Sequence, residues 1–403
     1  MISYDAPSEK PRAPSLAILV AVTALGPVSL NLFVPSMPGL QAAFDIDYST
    51  AQLTLSLYLA ALATAQLIVG PLSDRFGRRP ALLGGTALFV VASIGCAFAL
   101  SIEQLILGRI VQAIGGCAGI VIARAAIRDR YDRDEAASKF GYITVAMIAV
   151  PMAAPALGGY LDEIGGWRLG FHAVSALGIA VLALAWSGFG ETHHPGHDSG
   201  GGFLRLARTS GALIREPVFL GYSLAVAFST AIFFAFLAGA PFIVTEVLGR
   251  SPGEYGIYFI FVSGGYMLGN YLSGLLSRRL SAGRMFAAGI VLLIAGLALT
   301  ALFPLVGQLT MMTLFAPMTL VTISNGLIIP AGTASAISVR PDIAGSGAGI
   351  AGFLQIGMGA LASAAVSLFH DGSYLPVLAV MLVCGAASVV LLVYAEWANR
   401  AAA

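Results

Sequence analysis

The sequence predicts an all-α membrane protein with twelve transmembrane helices arranged as two bundles of six. Three observations support this prediction: an apolar composition, apolar runs of spanning length, and basic residues concentrated in alternate loops. Of the 403 residues, 58% are hydrophobic and 10% are charged, whereas a soluble domain carries about 25% charged residues. A soluble fold could not cover so much apolar surface with polar atoms. The net charge of +1 also gives no reason to expect a nucleic-acid partner.

A membrane-spanning helix needs about 20 mostly apolar residues. Runs of this kind recur along the chain and are separated by turn residues or charges. They cover residues 14–35, 49–70, 81–101, 103–124, 139–161, 168–189, 216–240, 252–276, 284–304, 308–330, 344–369 and 374–396. We expect no removable signal peptide, because residues 1–13 contain Lys10, Arg12 and prolines but no apolar core.

Basic residues predict the orientation of the chain. With a cytoplasmic N-terminus, 18 of the 21 lysines and arginines lie in cytoplasmic segments. Arg168 and Arg250 fall on the other side, and Arg109 falls within a span. We therefore expect a multi-pass protein of the cell inner membrane with both termini in the cytoplasm.

A polar, Gly-rich stretch over residues 190–204 divides the chain into halves of similar length. Its three histidines are interpreted as part of a solvated linker rather than as a metal site. The predicted organisation is an N-terminal bundle over 1–189, a cytoplasmic linker over 190–215 and a C-terminal bundle over 216–403.

The sharpest motif is the segment Gly70-Pro-Leu-Ser-Asp74-Arg75-Phe-Gly77-Arg78-Arg79-Pro80. Its glycines allow two helices to be joined by a tight turn, and Asp74 can pair with neighbouring basic groups to hold one conformation. A weaker copy occurs 204 residues later, at 274–279, with Arg278 at the position of Asp74. Internal repeats with a substrate site between them are typical of secondary transporters.

Arg109 and Gln112 lie on one face of the fourth predicted helix. An arginine within a span is costly unless it faces protein or water. A functional role is favoured over the alternative, a structural hydrogen-bond hub for backbone carbonyls.

In the fifth predicted helix, Pro151, Pro155, Gly158 and Gly159 form one stripe. The prolines remove backbone donors and the glycines permit close helix packing. An ordinary bent helix is the alternative interpretation.

These motifs resemble those of the major facilitator superfamily. The 70–80 segment is similar to its loop-2/3 signature, Arg109 and Gln112 to its fourth-helix motif, and residues 154–159 to its antiporter signature, with Ala154 replacing a glycine. A finer resemblance to the bicyclomycin- and chloramphenicol-resistance group of drug-efflux carriers rests on Pro35-Ser-Met-Pro38, Gln66, Asn325 with Pro330, Gly345-Ser-Gly-Ala-Gly349 and Gly352-Phe353-Leu354-Gln355.

The resemblance implies a central cavity lined by the first, fourth, seventh and tenth helices, about which the two bundles rock. We expect three sets of functional residues. Candidate substrate contacts are Asn31, Arg109, Gln112, Asn325 and Gln355. Candidate gating residues are Gly70, Asp74, Arg75, Gly77, Arg78, Pro151, Pro155, Gly158 and Gly159. The group places an aspartate where this chain has Asn31, which cannot titrate, so the candidate proton-coupling residues are Glu103, Asp162 and His172.

The predicted function is proton-coupled efflux of small amphipathic compounds, with uptake of a vitamin, siderophore or other metabolite as the alternative. The expected partners are a small-molecule substrate, protons and the lipid bilayer, and the chain is expected to act as a monomer. Because Arg109 is the ionisable residue placed within a span, we expect a neutral, zwitterionic or anionic substrate. A membrane enzyme is not expected, since the sequence shows no clustered catalytic or metal-ligating groups, and no cofactor is implied. A phosphate-binding loop is also missing from the sequence, which argues against an ATP-driven pump.

Overall fold

The computed structural model describes residues 14–131, 133–192, 211, 213–277, 279–340 and 343–402. Within these residues the apolar runs form twelve long helices, which we number in chain order. They are α1 (Leu16–Phe33), α2 (Tyr48–Phe76), α3 (Arg78–Ala97), α4 (Ile102–Arg130), α5 (Arg133–Gly165), α6 (Trp167–Gly188), α7 (Pro217–Phe242), α8 (Pro252–Leu276), α9 (Ala282–Leu305), α10 (Met311–Ser338), α11 (Ala344–Leu368) and α12 (Leu375–Ala402). A 3₁₀ turn (Val34–Ser36) and a short helix (Gly39–Phe44) connect α1 to α2.

Eleven helices of the described part are long and apolar enough to cross a membrane. They correspond to all the predicted runs except 139–161, which lies within α5, a helix of 33 residues. Large apolar side chains remain exposed on these helices, among them Val91, Leu361 and Val390, as expected where lipid is the solvent. The predicted all-α membrane class is confirmed, while the count of twelve spans stays a prediction.

Polar caps set the helix boundaries. The side chains of Asp47, Ser101 and Thr310 accept hydrogen bonds from backbone N–H groups in the first turns of α2, α4 and α10. At its other end α2 continues to Phe76, so Asp74 and Arg75 are helical rather than part of a loop. The turn to α3 is made by Gly77 alone, whose φ of 95° favours glycine.

The helices pack as two groups, one in each half of the chain. In the first group α1 packs on α4, α5 and α6, and α4 packs on α2 and α3. In the second group α7 packs on α10, α11 and α12, and α10 packs on α8 and α9. The groups meet along two helix pairs, α5 with α8 and α2 with α11.

Hydrogen bonds between the groups lie where α2 and α8 begin and where α5, α7 and α11 end, which we call the closed end. Five of them occur among the described residues. They are Tyr48 Oη to Ala238 O (3.0 Å), Gln52 Nε2 to Ala238 O (2.9 Å), Ser56 Oγ with Ser363 Oγ (2.9 Å), Ser367 Oγ to Ser49 O (2.7 Å) and Gly253 N to Glu163 Oε1 (3.0 Å). The opposite end, where α2 terminates, is called the Asp74 end.

Aromatic contacts also join the two groups of helices at the closed end. The His370 ring, in the connection between α11 and α12, lies 5.3 Å from the ring of Tyr48 and 4.5 Å from that of Phe242. Burial lowers the pKa of His370, an effect that the nearby carboxylates of Asp371 and Asp47 partly oppose. A neutral imidazole is therefore favoured between these two rings.

Candidate functional site

Arg109 lies at the centre of a buried cluster in the first group of helices. Its side chain is fully enclosed. Nη1 donates to Ser29 O of α1 at 3.2 Å and to Gln112 Oε1 at 2.6 Å. Gln112 Nε2 in turn donates to Ser93 Oγ of α3 at 2.7 Å. The predicted pairing of Arg109 and Gln112 on one helix face is thus a direct hydrogen bond, and it links α4 to α1 and α3.

Three aromatic rings surround the guanidinium of Arg109. Its Cζ lies 4.1 Å from the ring centroid of Tyr58, 4.7 Å from that of Phe33 and 5.9 Å from that of Phe171. Each ring presents its negative face to a cation, an attraction that strengthens when water is excluded. Aromatic faces, rather than a carboxylate, therefore compensate this buried charge.

The compensation of the Arg109 charge is incomplete. Nε and Nη2 of Arg109 are buried and make no hydrogen bond to any described residue. Glu103, which could have reached inward to neutralise Arg109, is exposed in the first turn of α4. Buried donors normally find partners, which makes these two nitrogens candidate donors to a ligand.

The hydroxyl of Tyr58 fixes the ring that lies closest to Arg109. It donates to Gly26 O at 3.1 Å and shares a hydrogen bond of 3.0 Å with Ser29 Oγ. Tyr58, Ser29 and Ser93 were not singled out from the sequence, because nothing in their spacing distinguishes them from other polar residues of apolar helices.

Asn31 is buried in α1. Its Nδ2 donates to Pro27 O at 2.9 Å, one turn earlier in the helix. Its Oδ1 is buried and has no hydrogen-bond partner among the described residues. Pro27 cannot donate a hydrogen bond to this oxygen, because proline has no backbone N–H group.

The predicted substrate contacts of the second half meet on α7. Asn325 of α10 accepts from Ser229 Oγ at 2.6 Å and donates to Ser229 O at 3.1 Å. Gln355 of α11 donates to Thr230 Oγ1 at 2.9 Å. The predicted contacts therefore form two separate clusters, one around Arg109 and one around consecutive residues of α7.

At the Asp74 end, Arg78 is the centre of the contacts of the 70–80 motif. Its guanidinium contacts Asp74 Oδ1 at 2.5 Å, Asp129 Oδ2 at 3.0 Å and Ser73 Oγ at 2.6 Å. The predicted pairing of Asp74 with a neighbouring cation is present. Asp129, at the end of α4, is a second carboxylate that the sequence pattern did not indicate.

Glu191, just after α6, is a third carboxylate that contacts the same motif. Its carboxylate oxygens accept from Arg78 N at 2.9 Å and Arg79 N at 3.1 Å, at the start of α3. A Cβ on Gly77 would lie 2.7 Å from Glu191 Oε2, so the glycine also makes room for this carboxylate.

The remaining gating candidates of this motif make fewer contacts. Gly70 lies within α2, where a Cβ would meet Val121 of α4 at 3.9 Å. Arg75 places its Cζ 5.4 Å from the ring of Phe76. These positions leave the ion pairs of Arg78 as the main contacts of the motif.

The stripe on α5 lies where the two groups approach most closely. Gly158 faces the backbone of Leu32 in α1, and Gly159 faces the backbone of Pro252 in α8. Across the same contact, a Cβ on Gly256 would lie 2.6 Å from both Ala156 Cα and Pro155 O. The side chain of Pro151 lies outside the described residues. The predicted close packing is therefore present at Pro155, Gly158 and Gly159.

The two other proton-coupling candidates also lie toward the closed end, away from the Arg109 cluster. Asp162 is half-buried, and its carboxylate lies near Ser36. His172 is exposed and packs edge-on against Phe98, with ring centroids 5.6 Å apart. The three histidines of the linker (His193, His194 and His197) lie outside the described residues.

Comparison with known proteins identifies the family. The family model of the Major Facilitator Superfamily matches residues 19–364. This chain belongs to the major facilitator superfamily. It is accordingly a multi-pass membrane transporter, with a small-molecule substrate and the lipid bilayer as its partners.

Relatives support the finer resemblance as well. A chloramphenicol resistance protein of Pseudomonas aeruginosa is 32% identical over 335 residues, covering 82% of this chain and 76% of the relative. Multidrug resistance protein D of Escherichia coli K12 is 29% identical over 360 residues, covering 89% of each chain. The resemblance to the bicyclomycin- and chloramphenicol-resistance carriers is confirmed.

The fold also matches a solved transporter structure. A bacterial homologue of the human lysosomal transporter Spinster, in an inward-facing and occupied conformation, superposes with a TM-score of 0.70 over 96% of both chains. At 18% sequence identity this likeness concerns the fold alone.

Proposed function

We propose that this superfamily member exports small amphipathic compounds across the inner membrane by alternating access, driven by protons moving in the opposite direction. The observation that carries the proposal is the closed end, where hydrogen bonds and close helix packing join the two groups of helices. Alternating access needs such a seal on one side of a site that lies between two repeats. The relatives named for chloramphenicol and multidrug resistance favour export of antibiotic-like compounds over the uptake alternative.

The two groups of helices are proposed to be the moving units. They correspond to the bundles over 1–189 and 216–403, joined by the linker over 190–215. The distribution of basic residues supports a cytoplasmic linker, cytoplasmic termini and an outward position of the closed end. The described conformation is then the inward-facing one, and a single chain contains the whole transport unit.

Gating is proposed to involve both ends of the molecule. At the Asp74 end, Asp74 and Arg78 stabilise one arrangement of α2, α3 and α4 through ion pairs. At the closed end, Gly158 and Gly159 allow α5 to approach its neighbours. Opening one end while closing the other would exchange these contacts.

The substrate is proposed to be neutral, zwitterionic or anionic. The buried charged side chains among the described residues are Arg78 and Arg109, and no described aspartate or glutamate is buried. Transfer of an organic cation to a site without a carboxylate is strongly disfavoured. The two unpartnered nitrogens of Arg109 offer hydrogen bonds that an oxygen-rich solute can accept, once Tyr58 and its neighbours move aside. Gln112, Asn31, Asn325 and Gln355 supply further polar groups.

Proton coupling is proposed to use a carboxylate near the closed end. Of the three candidates, Glu103 and His172 are exposed. Asp162 is half-buried and lies near Ser36, in the turn that follows α1. The geometry therefore favours Asp162 over the other two.

A charge series tests the proposed substrate class. Cells carrying the wild type, Arg109→Ala or Asn31→Asp are compared for export of ethidium-like cations and of phenicol-like or carboxylated solutes. We expect the wild type to export the phenicol-like or carboxylated solutes, Arg109→Ala to lose this activity, and Asn31→Asp to gain activity toward cations. Robust export of permanent cations by the wild type, or unchanged export by Arg109→Ala, would contradict the assignment.

A further inference from the structure

Glu163 connects the two groups of helices at the closed end. It lies near the end of α5, in the first group, and its Oε1 accepts a hydrogen bond of 3.0 Å from Gly253 N in the first turn of α8, in the second group. The bond can therefore exist only while α5 and α8 lie side by side at this end.

Gly253 makes room for this carboxylate. A Cβ at position 253 would lie 2.5 Å from Glu163 Oε1 and 2.9 Å from its Cδ. No side chain larger than hydrogen fits there without displacing the carboxylate. The same α5–α8 contact uses Gly159 and Gly256, so the approach of these two helices brings Glu163 to its partner.

The first turn of a helix leaves backbone N–H groups that need acceptors, and a negative charge is favoured there. In α8 one of these groups, Glu254 N, is capped by Ser251 Oγ, while Glu254 caps Ser251 N in return. Gly253 N is served by Glu163 instead. Part of the α8 cap is thus supplied by the other group of helices.

The neighbouring charged groups do not duplicate this contact. The carboxylate of Asp162 lies near Ser36 of its own group and near that of Glu163. On the α8 side, Glu254 pairs with Arg250 at 3.6 Å. The other titratable side chains within three residues of Glu163 or Gly253 are Tyr160 on α5 and Tyr255 on α8.

We propose that Glu163 is a positioning residue of the transport cycle: its carboxylate holds the closed end shut by capping α8 from α5, and protonation of that carboxylate releases it. The inference rests on the alternating-access part of the proposed function. A protonated carboxyl is a weaker acceptor and loses its attraction to the helix terminus. Because the open form lacks the bond, weakening the bond favours the open form.

Distances between spin labels at the closed end test the proposal. Leu100, after α3, and Leu305, at the end of α9, are 82% and 71% exposed and belong to different groups. Both are replaced by labelled cysteines in full-length protein in liposomes. The background lacks the native residues Cys96, Cys117 and Cys384 and carries His370→Gln in every arm, so that His370 contributes no pH response.

Two variants remove the cap in different ways. Glu163→Gln removes the charge, and Gly253→Ala displaces the carboxylate with a methyl group. At about pH 7.5 we expect each to raise the ratio of long to short label distances roughly two- to tenfold, the range for one hydrogen bond. Because both variants break one contact, combining them should add little to either alone.

The pH response separates a contact that protonation weakens, which we call the latch, from a contact with a structural role alone. The latch is the hydrogen bond between Glu163 and Gly253 N. Between about pH 7.5 and about pH 4.5, the parent should shift toward long distances, and the shift should be smaller in Glu163→Gln, in which Asp162 can still titrate. Glu254→Gln, which alters only the α8 cap within its own group, and Asp371→Asn, an exposed acid in the connection between α11 and α12, should both retain the parent distances and the parent pH response.

Unchanged distances in both Glu163→Gln and Gly253→Ala, or an undiminished pH response in Glu163→Gln, would overturn the inference. The readout requires no substrate. If the labels respond as expected while no solute is exported, the proposed efflux is wrong and the latch is retained. If export is measured and the labels do not respond, only the latch is wrong.

Discussion

Arg109 illustrates how a buried cation is tolerated without a counter-ion. Desolvation of a guanidinium costs several kcal/mol in a protein interior, and the hydrogen bonds to Ser29 O and Gln112 offset only part of this cost. Three ring faces offset a further part, at about 0.5–2 kcal/mol each when water is excluded. The stability of this cluster should therefore depend more on the Tyr58 ring than on its hydroxyl.

Two substitutions at Tyr58 separate these contributions. Tyr58→Phe keeps the ring over Arg109 and loses the hydroxyl contacts to Gly26 O and Ser29, so we expect a loss of about 1 kcal/mol in unfolding free energy. Tyr58→Leu also removes the ring and should cost roughly 1–2 kcal/mol more. Thermal unfolding of the purified protein in one detergent measures both, and equal destabilisation by the two variants would contradict the role of the ring.

The ion pairs of Arg78 allow a second comparison. Asp74 is 56% exposed whereas the Arg78 side chain is 8% exposed, so we expect Asp74→Asn to cost less than about 1 kcal/mol of stability while impairing transport. Membrane abundance should stay near the wild-type level, because Asp129 still compensates Arg78.

The double variant Asp74→Asn with Asp129→Asn leaves Arg78 buried without a carboxylate. We expect it to lower abundance by more than the sum of the single effects, because an uncompensated buried charge costs roughly 3–5 kcal/mol. Full transport by Asp74→Asn would show that the motif serves only to set the topology. Additive effects of the two substitutions on abundance would show that the two carboxylates act independently.

At the scale of helices, apolar runs predicted the elements well and their ends less well. Hydropathy locates the segments that lipid requires, but it does not detect caps such as Asp47 or the continuation of α2 through Asp74 to Phe76. Only Gly77, with its positive φ, makes the turn that the glycines of the motif were expected to share.

The partners of the gating motif could not be predicted for a different reason. Asp129 and Glu191 lie 51 and 113 residues from Arg78 in the sequence, and only the packing of α3 against α4 and α6 brings them together. The Arg109 cluster shows the same limit: Gln112 was predicted from helical spacing, whereas Ser29, Tyr58 and Ser93 come from other helices.

Two glycines of α8 form a matched pair for testing the α5–α8 contact. A Cβ on Gly256 would press against Ala156, whereas a Cβ on Gly264 would meet nothing within 4 Å. Either replacement by alanine improves helix propensity by about 1 kcal/mol. We expect Gly256→Ala to separate α5 from α8 and to impair transport severalfold, and Gly264→Ala to leave transport unchanged.

Transport in membrane vesicles, corrected for the amount of protein, measures this difference. Wild-type activity in Gly256→Ala would show that the closed end does not need this close approach. Loss of activity in both variants would assign the effect to helix propensity instead of packing.

For the whole molecule, the arrangement of charges predicts the topology. Reporter fusions after Lys10, Gly200 and Arg400 should all indicate the cytoplasm. If these three points are cytoplasmic, 18 of the 21 basic residues also lie in cytoplasmic segments. A fusion after Gly307, in the turn that follows α9, should report the opposite side. A non-cytoplasmic signal from any of the first three fusions would contradict the twelve-span arrangement.

The central claim is that solute leaves in exchange for protons, and flux in proteoliposomes measures it most directly. The purified chain is reconstituted in vesicles with a known orientation, a proton gradient is imposed in either direction, and a radiolabelled phenicol-like solute is followed. We predict that the solute accumulates on the side that protons leave, that a protonophore abolishes the accumulation, and that Asp74→Asn slows it. Accumulation on the side that protons enter, or a solute flux that does not depend on the proton gradient, would contradict proton-driven export.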